Sequence, residues 1–152
     1  MKKSLLFRVA LFTTLLGIIV VVLGGYVRLS DAGLGCPDWP GCYGRMVVPD
    51  SNAEVAQANA AFPERPLEIE KAWKEMVHRY AAGLLGLGIL MMTVLAWRAP
   101  TVGRGQRGAA SFLLALVVFQ ALLGMWTVTH LVKPAIVTSH LFAGFATVAL
   151  AW

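Results

Sequence analysis

Four apolar runs constrain this chain most strongly, because each is about as long as a helix that crosses a lipid bilayer. They cover residues 5–25, 76–97, 109–128 and 135–152. A helix needs about twenty apolar residues to span a hydrocarbon core roughly 30 Å thick. The charged fraction of 14% and the mean hydropathy of +0.69 exclude an ordinary soluble domain of this size. The sequence therefore predicts an all-α polytopic membrane protein, with residues 1–152 forming a single four-helix transmembrane bundle.

Charged residues are unevenly distributed, and their positions predict the orientation of the bundle. Six basic residues lie at the start of the chain or between the second and third runs: Lys2, Lys3, Arg8, Arg98, Arg104 and Arg107. All 8 acidic residues lie between Asp31 and Glu75. Because Lys and Arg concentrate in cytoplasmic loops, we expect a cytoplasmic N-terminus and a periplasmic loop over residues 26–75. No Arg-rich and Ser-rich transit sequence precedes the first run, which favours a bacterial inner membrane.

Two histidines inside the apolar runs are the first indication of chemistry. His78 and His140 each lie one or two turns below the outer end of a helix, and an ionisable side chain in a membrane is costly enough to indicate function. Small residues on the same helix faces leave room for a flat ligand: Ala82, Gly86, Ala143 and Gly144. The two imidazoles could ligate a haem iron from both sides, between neighbouring helices. Alternatively, the small residues serve close helix packing and each histidine is hydrogen-bonded to another helix; the residues alone leave both interpretations open.

A weak internal repeat accompanies the histidines. The segments His78-Arg-Tyr-Ala-Ala-Gly and His140-Leu-Phe-Ala-Gly each lie near the start of a helix that begins at the outer face, and the helix before each segment ends in Leu-Gly. The repeat indicates two helix pairs related by pseudosymmetry. His130, in the short outer turn, lies outside the repeat and is expected to be a loop residue.

Three charged residues accompany the histidines at the outer face. Glu75 precedes His78 by one helical turn, so a helical lead-in would place its carboxylate on the same face. The carboxylate could relay protons or position a substrate, or it could be a solvated acid paired with Lys71. Arg79 and Arg28, at the outer ends of their helices, could hold haem propionates or lipid headgroups equally well.

The outer loop carries two features that brace it. Cys36 and Cys42 enclose Pro-Asp-Trp-Pro-Gly, and in an oxidising periplasm they are expected to form a disulfide worth roughly 2 kcal/mol. A redox-active pair is the alternative, although the spacing is not C-x-x-C and no neighbour that stabilises a thiolate is evident. Residues 68–74 predict a helical lead-in to the second run. Two i,i+4 ion pairs support it: Glu70 with Lys74, and Lys71 with Glu75.

Three motifs resemble the haem A synthase family. Residues 24–44 read Gly-Gly-Tyr-Val-Arg-Leu-Ser-Asp-Ala-Gly-Leu-Gly-Cys-Pro-Asp-Trp-Pro-Gly-Cys-Tyr-Gly and closely resemble the signature that follows the first helix in that family. Residues 75–79, Glu-Met-Val-His-Arg, resemble its E-x-x-H-R element, and His140-Leu141 resembles the head of its fourth helix. The resemblance covers the whole chain.

The resemblance implies an architecture and an activity. Members of the family have eight transmembrane helices in two four-helix bundles, so this chain would be the N-terminal half, and its abrupt end at Trp152 indicates a fragment. The implied reaction is the oxidation of a ring methyl of haem O to the formyl group of haem A, for terminal oxidases. His78 and His140 would hold the substrate haem as axial iron ligands, and Glu75 would be the acid required for activity. A b-type haem is expected in the second bundle.

Two other functions are kept as alternatives: a non-catalytic bis-histidine protein that carries a b-type haem, and an assembly partner that delivers haem. In the family, the loop disulfide, Cys36–Cys42 here, is implied to support haem transfer or partner contact. The expected partners are haem O, haem O synthase, oxidase assembly factors and, where two copies replace the missing bundle, a second copy of the chain. The net charge of +5 comes from scattered basic residues, so the lipid bilayer and not a nucleic acid is expected around the protein.

Overall fold

The structure, a computed structural model, is all-α and describes residues 2–152, with side chains from residue 5 onward. This part of the chain contains five helices: α1 (Lys2–Leu29), α2 (Asn52–Ala61), α3 (Ile69–Arg98), α4 (Arg104–Thr129) and α5 (Pro134–Ala151). All of them except α2 are long and apolar enough to cross a membrane, so the predicted four-helix arrangement is confirmed. The side chains of Lys2 and Lys3, which contribute to the predicted orientation, lie outside the described residues.

The neighbours of each spanning helix follow from the order of the chain. α1 packs against α3 and α5, and α4 packs against the same two helices. Short turns join α3 to α4 and α4 to α5, so each helix folds back along the one before it. α1 then closes the bundle, which leaves α3 and α5 at opposite corners. The expectation that the two histidine-bearing helices are neighbours is therefore wrong, because they lie diagonally across the bundle.

Buried aliphatic side chains and one very close helix contact hold α1 along α3. The buried core of the bundle contains Val9, Val20, Leu85, Ile89, Met92 and Leu113. A Cβ on Gly88 would lie 2.5 Å from Thr13 Cγ2, so only glycine permits this approach. The Thr13 hydroxyl donates back to the carbonyl of Val9 at 2.9 Å, which satisfies it within its own helix. Small residues commonly allow helices to approach in membranes, and here they place α1 beside the histidine of α3.

The segment between α1 and α3 contains a helix that the sequence interpretation did not predict. Ser51 caps α2: its Oγ accepts the N–H of Glu54, and the Glu54 carboxylate accepts the N–H of Ser51, both at 3.4 Å. Serine followed three residues later by glutamate is a capping-box signal, so the sequence did indicate that a helix begins after Ser51. We call the end of the bundle that carries residues 30–68 the loop end.

The predicted helical lead-in to α3 is confirmed, with one correction. α3 contains 30 residues, about 45 Å at 1.5 Å per residue, so its first turns extend beyond a hydrocarbon core roughly 30 Å thick. The predicted pair of Glu70 with Lys74 forms at 2.6 Å. The predicted pair of Lys71 with Glu75 is wrong, because Lys71 pairs with Glu68 at 3.1 Å while Glu75 faces other partners.

Candidate functional site

A disulfide closes the loop that lies against the start of α3. Cys36 and Cys42 are bonded, with Cα atoms 4.8 Å apart, which confirms the predicted pairing, and both residues are fully buried. A Cβ on Gly35 would lie 2.6 Å from the Lys71 carbonyl oxygen of α3, so a side chain at this position would clash with the backbone. We call residues 36–42 the disulfide loop; it covers the first turns of α3.

Glu75 of α3 lies beneath this loop with both carboxylate oxygens occupied. Its side chain is 6% exposed. Oε2 accepts a hydrogen bond from the main-chain N–H of Cys36 at 2.9 Å, and Oε1 accepts one from Arg79 Nη2 at 2.5 Å. A buried carboxylate is costly unless it is paired and hydrogen-bonded, and Glu75 is both. Its carboxylate therefore faces the loop and Arg79 rather than solvent.

Arg79 attaches α3 to the disulfide loop. Its Nη1 donates to the main-chain oxygens of Asp38 at 2.9 Å and Gly41 at 2.5 Å, with that of Pro40 at 3.3 Å. A guanidinium suits such a cluster because it presents several donors in one plane. The Arg79 side chain is only 12% exposed, so the loop and Glu75 occupy most of its donors. We call Glu75 and Arg79 the latch pair.

Asp38 and Tyr43 shape the loop, and the sequence interpretation missed both. The Asp38 carboxylate accepts the N–H groups of Tyr43 at 2.6 Å and Gly44 at 2.7 Å. Tyr43 and Gly44 have φ angles of 55° and 75°, and the carboxylate stabilises this turn, which is unfavourable for tyrosine. Tyr43 also donates its hydroxyl to the carbonyl of Arg65 at 3.1 Å, and burial raises the pKa of that hydroxyl. Aspartate among prolines and glycines is a turn signal that could have identified this brace.

Each histidine packs against a glycine of the preceding spanning helix. A Cβ on Gly24 of α1 would lie 3.0 Å from His78 Cε1, and a Cβ on Gly124 of α4 would lie 3.6 Å from His140 Cε1. Both glycines belong to the Leu-Gly segments of the internal repeat. The repeat therefore corresponds to a glycine-to-histidine contact that occurs once in each helix pair.

The two imidazoles contain buried polar atoms without a partner. The Nδ1 atoms of His78 and His140 are buried, and neither has a hydrogen-bond partner among the described residues. Buried polar side-chain atoms nearly always have one. Neither Nδ1 atom therefore makes, within residues 5–152, the helix-to-helix hydrogen bond of the packing alternative. Each ring thus has one nitrogen, Nδ1, whose hydrogen-bonding capacity the described residues do not use.

The two histidines lie at similar depth in the bundle. A Cβ on Gly17 of α1 would lie 3.1 Å from Val148 Cγ2 of α5 and 3.9 Å from Leu85 Cδ1 of α3, so Val148 and Leu85 share one level. Leu85 lies seven residues beyond His78, and Val148 lies eight residues beyond His140. Because α3 and α5 run in the same direction and these separations differ by one residue, the two histidines lie at similar depth. Two imidazoles at one level on diagonal helices are suited to binding a flat ligand from both sides.

Gln120 of α4 is a further residue that the sequence interpretation missed. Its Nε2 donates to the main-chain oxygen of His140 at 3.2 Å, whereas its Oε1 is buried without a partner among the described residues. Gly144 leaves room for this contact, since a Cβ there would lie 3.2 Å from the Gln120 Nε2. The sequence did contain a signal, since Gln120 is the single amide side chain in its apolar run. Polar residues in spanning helices usually face the bundle interior, so Gln120 could have been predicted to lie inside the bundle.

The other predicted site residues are not brought to the histidines. Arg28 is exposed in the last turn of α1, and His130 is exposed just after α4, at a loop position as expected. Two open cavities lie elsewhere: one of about 440 Å³ around residues 45–50, and one of about 310 Å³ between α1 and α3 around residues 84–91. The candidate site is therefore defined by the imidazoles and the small residues beside them.

Comparison with known proteins identifies one matching family and several similar proteins. Residues 7–152 match the model of the COX15-CtaA family, described as cytochrome oxidase assembly protein. The chain is 47% identical over 150 residues to a haem A synthase of Shewanella oneidensis, covering 99% of the chain and 44% of that protein. A human haem A synthase is 33% identical over 120 residues, 71% of the chain and 29% of the relative.

A third relative has a different printed name. It is a protoheme IX farnesyltransferase of Halobacterium salinarum, 32% identical over 138 residues, which are 88% of the chain and 27% of that protein. The chain spans less than half the length of each of these relatives. No solved structure matches the chain.

Proposed function

Because the chain belongs to the family of cytochrome oxidase assembly proteins that includes haem A synthases, we propose that it is the substrate-binding half of a haem A synthase. In this proposal the chain is the N-terminal four-helix bundle of a longer family architecture. Its substrate is haem O, and the reaction oxidises a ring methyl of haem O to the formyl group of haem A for terminal oxidases. The names of the relatives support the activity, and the histidine pair supports the binding site.

The observation that carries the proposal is the pair of imidazoles at one level with unpartnered nitrogens. Two axial imidazoles are a common way to hold haem iron, and an imidazole that binds a metal through one nitrogen offers the other as a hydrogen-bond donor. Gly24 and Gly124 pack against the two rings, and two buried imidazoles with unpartnered nitrogens are a donor set that fits a haem. We assign His78 and His140 as the axial ligands.

The disulfide loop and the latch pair have a separate role in this proposal. The bound haem supplies the iron and the methyl group that is oxidised, while the loop shields the α3 side of the site from water. Glu75 stays the acid required for activity. Its contacts with Arg79 and the Cys36 N–H favour a role in which Glu75 holds the disulfide loop in place. The three carbonyl contacts of Arg79 favour loop attachment over its predicted contact with a propionate. Among the described residues, Arg28 has no such contact with the loop, and it lies one helical turn beyond Gly24, which contacts His78, so it stays the proposed partner of a propionate.

Localisation and partners follow from the same features. We place the chain in a bacterial inner membrane with the N-terminus in the cytoplasm and the disulfide loop in the periplasm, since disulfides persist in oxidising compartments. The relative named protoheme IX farnesyltransferase supports a partnership with the enzyme that farnesylates protohaem IX and would supply haem O. Oxidase assembly factors are further proposed partners. The second bundle, or a second copy of this chain, would carry the b-type haem that passes electrons.

Histidine variants test the binding site directly. The chain is expressed with a haem O synthase, purified in detergent and examined by visible spectroscopy. His78→Ala and His140→Ala should each abolish the bis-histidine spectrum, because each removes one axial ligand. His130→Ala is the matched control, since His130 is exposed outside the site, and it should keep the wild-type spectrum. A normal spectrum in both His78→Ala and His140→Ala would refute the ligand assignment.

The identity of the extracted haem separates the proposed enzyme from its alternatives. Haem A in the extract would show that this bundle oxidises haem O, whereas haem O alone would show that it binds the substrate and needs its partner bundle. A protein that only carries b-type haem would yield protohaem even when haem O is abundant. An assembly partner predicts that Cys36→Ser impairs haem delivery to the oxidase but not oxidation in the isolated protein.

A further inference from the structure

Gln120, which contacts the His140 main chain, has a buried side-chain oxygen without a hydrogen-bond partner among the described residues. A main-chain carbonyl can only accept a hydrogen bond, so the amide group that faces the His140 oxygen at 3.2 Å must be the NH₂. The orientation of the Gln120 side chain is therefore determined, and its Oε1 points away from that carbonyl. Oε1 is buried and has no donor among the described residues. An acceptor without a donor inside an apolar bundle carries a desolvation penalty.

The same pair of residues also contains the matching donor. The Nδ1 of His140 is buried and unpartnered among the described residues. When Nε2 of a neutral imidazole binds a metal, Nδ1 must carry the proton and becomes an N–H donor. Gln120 Oε1 is then an acceptor of the required type on a side chain already bonded to His140.

We propose that Gln120 is a positioning residue for His140: its Nε2 holds the His140 main chain, and its Oε1 accepts the Nδ1–H when the His140 Nε2 binds the haem iron. This inference rests on the proposed haem site, and it extends that site to a residue with no contact to the iron. An acceptor on Nδ1–H fixes the tautomer and the ring orientation and makes the imidazole a more basic ligand. His78 has no equivalent amide among its described contacts, so the two axial ligands are not equivalent.

Replacing Gln120 by Leu removes both hydrogen bonds and keeps a side chain of similar size. The 152-residue chain is titrated with haemin in detergent and followed by Soret absorbance, and the midpoint potential of the bound haem is then measured. Loss of an outer-shell hydrogen bond typically weakens metal binding about 10- to 100-fold, so we expect Gln120→Leu to bind haemin about tenfold more weakly. The midpoint potential should rise, because a less basic imidazole stabilises ferric iron less.

Two further variants make the test decisive. Thr93→Val is the matched control, since the Thr93 hydroxyl also donates from one helix to the main chain of another, to Ala110 at 3.1 Å, away from the histidines. It should leave haemin affinity and midpoint potential unchanged. Gly144→Ala places a Cβ 3.2 Å from the Gln120 Nε2, and it should shift the potential in the same direction as Gln120→Leu by a smaller amount.

The outcomes separate this inference from the haem site itself. Wild-type affinity and potential in Gln120→Leu, or an equal shift in Thr93→Val, would overturn the role of Gln120 while His140→Ala still loses its spectrum. A normal bis-histidine spectrum in His140→Ala would instead overturn the haem site. If Gln120→Leu is too unstable to purify, Gly144→Ala alone decides, because an unchanged potential in that variant contradicts the proposal.

Discussion

The latch pair gives a prediction whose size can be worked from its contacts. Arg79→Met keeps most of the aliphatic volume and removes the guanidinium. Glu75, 6% exposed, would then keep only the Cys36 N–H as a partner, and the carbonyls of Asp38 and Gly41 would lose their charged donor. Removing one partner of a buried ion pair costs about 3–5 kcal/mol. We use the lower limit, about 3 kcal/mol, because the loop carbonyls regain water when the loop undocks.

The assay is the rate at which a water-soluble phosphine reduces the Cys36–Cys42 disulfide in the detergent-purified protein, followed by thiol alkylation. Both cysteines are fully buried, so reduction requires local opening of the loop. A loss of about 3 kcal/mol raises the open population roughly 100-fold, at 1.4 kcal/mol per factor of ten. Arg79→Met should therefore be reduced roughly 100-fold faster than wild type. Glu75→Gln should have a smaller effect, because Arg79 keeps its three carbonyl acceptors.

Arg45→Met is the matched control for this experiment. Arg45 pairs with Glu54 at the loop end of the bundle, where the disulfide loop also lies, but the two side chains are 44% and 33% exposed. A surface ion pair contributes at most about 1 kcal/mol, so the reduction rate should change less than about fivefold. Equal reduction rates for Arg79→Met and Arg45→Met would refute the argument that the buried latch pair holds the disulfide loop.

Two other predictions concern the histidine contacts and the capping of α2. Gly24→Ala places a Cβ 3.0 Å from His78 Cε1 and should weaken haemin binding about tenfold, because overpacking costs about 1–3 kcal/mol. In the same Soret titration, the control Gly124→Ala should bind haemin as wild type does, since its Cβ would lie 3.6 Å from His140 Cε1. Equal haemin affinities of the two variants would contradict the assigned packing. Ser51→Ala should destabilise α2 by about 1 kcal/mol, seen as faster amide exchange in α2 and unchanged exchange in α3. Hydrogen bonds from Ser51 lower the pKa of Glu54, so the capping contact is present above the unfolded-state pKa and is lost as the pH falls through the lowered pKa. The protection of α2 amides, expressed relative to their intrinsic exchange rate at each pH, should therefore fall in acid, and Glu54→Gln should remove this pH dependence.

Features determined by local sequence were predictable here. The lengths of the apolar runs follow from the thickness of the bilayer, and α1, α3, α4 and α5 coincide with them within a few residues apart from the lead-in of α3. Cys36 and Cys42 are close in sequence, so their pairing needed no knowledge of the fold.

One sequence does not predict how the helices pack against one another, and the features that depend on this packing were missed. Hydropathy does not order the helices of a bundle whose outer surface is apolar on every side, so the diagonal placement of α3 and α5 was missed. The spacing of Glu75 allowed an i,i+4 partner in either direction, Lys71 or Arg79, and only the docked loop decides between them. Gln120 was missed because its meaning depends on the carbonyl of His140, which lies on another helix.

The site combines a symmetric part with an asymmetric one, and the two parts support different functions. The glycine-to-histidine contacts of Gly24 with His78 and Gly124 with His140 occur once in each helix pair, which is all that a bis-histidine haem carrier requires. The latch pair and the disulfide loop occur only on the α3 side, and a carrier has no need for a buried acid beneath a braced loop. A variant that opens the loop but retains both histidines should therefore keep its haem if the protein is a carrier or an enzyme, and should lose haem A formation only if it is an enzyme. Arg79→Met, measured by haem content and by the identity of the extracted haem, makes that distinction without removing an iron ligand.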